Sequence, residues 1–163
     1  MQTTKFTIED YLAEYLRGKW GMKDANGECT SIVEIPEDTY LYDSLSSLTM
    51  KKPRHVKEYR GNIEIVIPHR REGNKKPAVY NYISSAGARI FNKKVKLFFR
   101  AELHEYLDYK KHEEGMSYRD ACFVFLSQYG IESFDPESAE KNYSRWRNKI
   151  RDKKDRKKAF TRK

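Results

Sequence analysis

An uninterrupted helical register in the middle of the chain does most to constrain its fold. Phe91, Val95, Phe98, Phe99, Leu103, Tyr106 and Lys110 fall at steps of 4, 3, 1, 4, 3 and 4, the spacing that brings side chains onto one face of an α-helix. No proline interrupts this stretch, and Gly115 is the first stop signal after it. A helix of this length needs partners for its apolar face. A competing reading makes Lys94-Val95-Lys96-Leu97-Phe98-Phe99 a short strand. The single long helix is favoured because the register persists on both sides of those residues.

The preceding residues supply the partners. Ile8, Tyr11, Leu12, Tyr15 and Leu16 hold helical spacing, Thr7 and Asp10 suggest a capping box, and Gly18 and Gly21 end the helix around Trp20. Residues 22–30 read as a turn-rich loop and Ser31 to Ile35 as a short strand. A short helix follows Pro36, with Leu41, Leu45 and Leu48 on one face. Asn62 to Ile67 alternates as a strand does, with Ala78 to Ile83 as its expected partner. The polar loop between them makes a β-hairpin with a basic tip, and Arg70, Arg71, Lys75 and Lys76 are candidate phosphate contacts there. A merely solvated turn would look the same.

The last third carries the sharpest constellation. Gly115 ends one helix, and Ser117 with Asp120 caps the next, whose apolar face is expected from Ala121, Val124, Phe125 and Tyr129. Gly130 ends that helix, and Asp135-Pro136 starts a third. In the third helix Ala139, Tyr143, Trp146 and Ile150 form an apolar stripe. Its other faces carry Lys141, Asn142, Ser144, Arg145, Arg147, Asn148, Lys149 and Arg151. One helix that packs, followed by one that is buried on a single face and cationic elsewhere, is the division of labour of a helix-turn-helix unit. Arg and Asn are suited to base edges, and Lys and Ser to phosphates. The run Glu114-Gly115-Met116-Ser117-Tyr118-Arg119-Asp120-Ala121 resembles the start of helix two in resolvase- and transposase-type helix-turn-helix proteins. The resemblance covers residues 100–151 and implies that the third helix enters the major groove; the connection Gly130 to Asp135 is longer than the usual tight turn. A three-helix bundle with a solvated basic face is the plainer alternative. A ribbon-helix-helix dimer is another, with Lys94 to Phe99 as the ribbon and 101–113 and 117–129 as its helices.

Charge supports a polyanionic partner. Residues 1–50 carry 4 Lys/Arg against 9 Asp/Glu, residues 51–100 carry 14 against 3, residues 101–139 carry 3 against 9, and residues 140–163 carry 12 against 3. The final block alone therefore matches the net charge of +9 of the whole chain, a segregation expected of a polyanion-binding surface. Lys153 and Lys154 open a polybasic tail suited to non-specific phosphate contact.

The expected architecture is thus α+β and mainly helical. It comprises an α+β region over 1–99 with the hairpin, a helix-turn-helix region over 100–151 and a basic tail over 152–163, or a single compact domain over 1–151. No run approaches a membrane span, the start is polar, and only Cys29 and Cys122 are present, so a reducing, cytoplasmic setting without membrane association is expected. Catalysis finds little support. His55, His69, His104 and His112 lack metal-site spacing, His104 and Asp108 read as a surface helical pair, and Tyr143 beside Arg145 belongs to the apolar stripe rather than to a recombinase site. No metal or cofactor is implied, and a nuclease with an unfamiliar site is the one enzymatic alternative. The function expected is binding of double-stranded DNA by a small regulator or accessory factor of a mobile element or phage. The alternatives are a sequence-independent packaging protein and an RNA-binding protein. A homo-oligomer is compatible with any of these.

Overall fold

The computed structural model describes residues 1–25, 27, 29–54, 56, 60–69 and 75–161, with backbone alone at 29 and 155–161. In chain order these form β1 (Thr3–Phe6), α1 (Asp10–Trp20), β2 (Gly21–Lys23), β3 (Cys29–Val33), α2 (Tyr40–Leu48), β4 (Ile63–Val66), α3 (Ser85–His112), α4 (Tyr118–Gln128) and α5 (Pro136–Thr161). The class is α+β and mainly helical, as the sequence predicts.

The alternation around Ile63 does make a strand, with Ile63 and Ile65 buried and Glu64 and Val66 half-buried. The predicted hairpin partner is corrected. β4 pairs antiparallel with β1 on one edge and parallel with β3 on the other, in a sheet ordered β1-β4-β3-β2. Both edges of β4 are therefore occupied, and Ala78 to Ile83 has none to join. The Val79 and Tyr80 amides instead both turn back to the Lys76 carbonyl, and Tyr82 forms an isolated bridge with Met50. The sheet's hairpin lies elsewhere, in the antiparallel pair β2 and β3. Asn62 locks the β4 side of the sheet to the start of α1: its side-chain amide donates to the Ile8 carbonyl at 2.8 Å and accepts from the Ile8 amide at 3.1 Å.

The long helix forms as its register predicts. Ser84 caps α3 by accepting from the Gly87 amide at 3.1 Å, and Phe91, Val95, Phe99, Leu103 and Leu107 are buried along one face. Residues 94–99 lie within this continuous helix, which removes the strand that a ribbon-helix-helix dimer would require. α3 also runs unbroken through residues 99 and 100. A single apolar cluster extends from Phe6 on β1 to Tyr143 on α5. At its centre the Phe99 ring meets Tyr11, Tyr15, Phe125 and Phe134 at centroid distances of 5.1 to 6.1 Å.

One polar group ties three helices together beside this core. Glu102 of α3 accepts from Lys19 at 2.7 and 2.8 Å and from the hydroxyls of Tyr15 and Tyr129. Burial by itself would raise its carboxyl, but the hydrogen bonds from Lys19, Tyr129 and Tyr15 outweigh burial and hold it below the usual carboxylate range. A carboxyl lowered in the folded state adds stability above its unfolded pKa of about 4.3. That stability is lost as pH falls through the folded value. We expect Glu102→Gln to lower unfolding free energy by about 1–3 kcal/mol at neutral pH. The gap from wild type should narrow below about pH 4, read from urea midpoints across a pH series.

Candidate nucleic-acid interface

The helix-turn-helix segment is built as its capping residues dictate. Ser117 accepts from the Asp120 amide at 3.1 Å at the start of α4, and Asp135 accepts from the Ser138 amide at 3.0 Å at the start of α5. Gly130, at φ 62°, closes α4. The Ile131 amide reaches back to the Leu126 carbonyl at 2.9 Å and the Gly130 amide to the Ser127 carbonyl at 3.1 Å, the paired bonds of a Schellman motif. α4 buries Ala121, Cys122, Phe125 and Leu126, whereas Val124, expected on the buried face, is exposed. Burial pushes the Cys122 thiol up to about 12, which leaves it a protonated core side chain.

The turn between α4 and α5 is held by α1, a contact the sequence does not announce. One carboxylate oxygen of Glu14 accepts from the Glu132 amide, the Ser133 amide and the Ser133 hydroxyl at 2.8 to 3.0 Å. The Phe134 ring stacks on Tyr11 at 4.6 Å. Gly18 lies so close to the end of α4 that a Cβ placed there would come within 2.1 Å of the Tyr129 carbonyl oxygen. The N-terminal region thus fixes the direction in which α5 leaves the body.

α5 is anchored through its N-terminal half, from Ala139 to Arg147. Ala139 and Tyr143 are fully buried. The Tyr143 hydroxyl donates to Asp108, and its ring lies 5.0 Å from Tyr118 and 5.3 Å from His104. His104 is itself buried, which corrects the surface pairing expected with Asp108. Burial and the nearby Arg100 charge hold its imidazole below the usual histidine value, with Asp108 opposing them. Trp146 departs from the predicted stripe. It is 38% exposed and covers His104 with one face at 4.2 Å, because the body ends there and α5 continues past it. Tyr143→Ala should therefore cost about 3–5 kcal/mol and Trp146→Ala only about 1–2 kcal/mol, measured by chemical denaturation.

Beyond Tyr143, every residue from Ser144 to Lys154 is exposed except Ile150, which is half-buried. Lys141, Arg145 and Asn148 share one strip, opposite the buried Ala139 and Tyr143 at the helical pitch. Arg145, Lys149 and Lys153 extend along one flank of that strip and Arg147, Arg151 and Lys154 along the other. Some of these groups are already engaged. Lys141 pairs with Glu137 at 2.7 Å, Asn142 donates to the Ser138 carbonyl at 2.9 Å, and Arg151 donates to Asn148 at 2.7 Å. Arg147 donates to the Tyr118 hydroxyl at 2.6 Å, with its guanidinium over the Tyr118 ring. Arg145, Lys149, Lys153 and Lys154 make no hydrogen bond or ion pair with a described residue.

Of the predicted hairpin-tip residues, Lys75 is engaged elsewhere. Lys75 donates to the carbonyls of Ser46, Ser47 and Thr49 at 2.8 to 3.1 Å, so its ammonium closes the C-terminus of α2. Lys76 is exposed, while Arg70 and Arg71 lie outside the described residues, as does His55. Among the described residues no group of three His, Cys, Asp or Glu side chains could hold a metal ion, and no helix is long and apolar enough to cross a membrane. No family model, curated protein or solved structure matches the chain.

Proposed function

We propose that this protein binds double-stranded DNA by laying α5 in the major groove, as a small regulator or accessory factor. The observation that carries this reading is the form of α5: a helix anchored at one end, whose exposed length presents two cationic flanks either side of a strip bearing Arg145 and Asn148. A helix in the major groove meets phosphates along both flanks and base edges between them. Arg145 is suited to guanine and Asn148 to adenine. Arg147 and Tyr118 make a further surface against which a phosphate can rest.

The alternative of sequence-independent packaging is favoured by one observation, the bond that Asn148 already receives from Arg151, which occupies a base-reading group. Arg145→Ala and Asn148→Ala, measured on a selected site and on its single-base variants, separate the two. Base readout predicts a loss of about 1–3 kcal/mol confined to one base pair. An equal loss on every sequence would leave α5 as an electrostatic contact and favour packaging.

A further inference from the structure

The charge of residues 51–100 is not used by α5, and much of it converges on one side of α3. Arg89, Lys93, Lys96 and Arg100 recur at helical steps of four and three on a single face. The stripe spans about 16 Å at the helical rise. At its N-terminal end it borders two adjoining clefts of about 650 and 640 Å³ that share Thr7 and Arg89. Lys93 and Lys96 line the first cleft, and Lys5 and Arg60 the second. Among the described residues Glu9 is the one carboxylate lining either, and it is taken by Lys96 at 2.8 Å. Lys5 pairs with Glu64 at 3.1 Å. Arg89 and Lys93 form no ion pair with a described residue.

Like charges one turn apart on a helix destabilise it, and only Lys96 on this stripe has a carboxylate partner among the described residues. The other end of the stripe reaches α5. Arg100 lies near enough to His104 to help depress its imidazole, after burial, and His104 stacks on Trp146. The cationic stripe therefore runs from the clefts along α3 to Arg100, beside the His104 that Trp146 of α5 covers.

We propose that this stripe and its clefts are a second contact for a phosphodiester backbone, so that a strand held by α5 continues along α3. The inference rests on the nucleic-acid reading above. It assigns to α3 affinity without sequence preference, because the stripe presents Lys and Arg and the Asn92 amide beside it is already bonded to Glu9.

The test uses the full chain and its Arg89→Glu/Lys93→Glu variant. A duplex of roughly 30 base pairs and an oligothymidylate of similar length serve as fluorescent probes at two salt concentrations. We expect a loss of about tenfold or more on at least one probe and a shallower salt slope, with an unchanged melting temperature. The larger loss names the source of the strand, duplex or single. Arg89→Gln/Lys93→Gln provides the same comparison should charge reversal disturb folding. Wild-type affinity and slope in the α3 variants, alongside a loss in Arg145→Ala/Lys149→Ala, would overturn the α3 contact alone. Failure of the wild-type chain to bind either probe would overturn the nucleic-acid reading and this inference with it.

Discussion

Removing the cations of one α5 flank, in the triple variant Arg145→Ala/Lys149→Ala/Lys153→Ala, should lower affinity for duplex DNA by about a hundredfold near 0.1 M salt. Each cation that neutralises a phosphate releases counterions, so the slope of log affinity against log salt should fall by about 1.8 when the phosphates met by Lys149 and Lys153 are no longer neutralised, the Arg145 base contact accounting for the rest of the loss. Stability should change by no more than about 0.5 kcal/mol, because all three side chains are exposed and bond to no described residue. Loss of binding with retained melting temperature is a combination that a structural role for this flank does not produce. Anisotropy titrations over a salt series, with thermal denaturation alongside, read both quantities.

The second large effect is on folding. Gly18→Ala should destabilise the protein by about 3 kcal/mol, although alanine is the better helix former by about 1 kcal/mol. The added methyl would stand 2.1 Å from the Tyr129 carbonyl oxygen and 2.7 Å from its carbon. These are backbone atoms at the end of α4 and cannot rotate away. Relief requires α1 to move from α4, which pulls the Tyr15 ring from Tyr129 and Glu14 from the α4–α5 turn. Gly87→Ala is the matched control within a helix: its methyl would meet the Cγ2 methyl of buried Ile83 at 3.2 Å, a side chain at a longer distance rather than backbone at 2.1 Å, and a smaller change is expected. Equal denaturation midpoints for Gly18→Ala and wild type would show that α1 does not hold the turn.

What could be read from the sequence was what neighbouring residues decide. The register from Phe91 to Leu103 specifies α3 because i, i+3 and i+4 positions share a face whatever lies opposite. Ser117, Gly130 and Asp135-Pro136 mark helix ends through bonds to backbone groups a few residues away. The sheet was not legible in this way. The alternation of Ile63 and Ile65 declares a strand with one buried face, but nothing local says that Thr3 to Phe6 and Ile32 to Val33 take its two edges. Ala78 to Ile83 has the same pattern and does not pair with β4, because both edges of β4 are taken. Trp146 shows the corresponding limit for burial. The stripe from Ala139 to Ile150 is continuous in sequence, while full burial ends at Tyr143 and Trp146 and Ile150 are covered only in part.

The candidate site was legible in part for the same reason. The cationic faces of α5 follow from the spacing of Arg145, Asn148 and Lys149, and these side chains are exposed. Lys75 resembled any other loop lysine, and its role at the end of α2 depends on carbonyls 26 to 29 residues away in sequence. The α3 stripe was present in the sequence as lysines and arginines at helical spacing. Its continuity with the clefts depends on Thr7, Lys5 and Arg60, which only the folded chain brings alongside.

The central claim is that α5 is the surface that meets nucleic acid, and amide chemical-shift mapping during titration of the full chain with duplex DNA tests it most directly. The account predicts shifts and line broadening concentrated at residues 141–154, with a second group along Arg89 to Arg100 and little change in the sheet. Binding accompanied by unperturbed amides throughout 141–154 would contradict it.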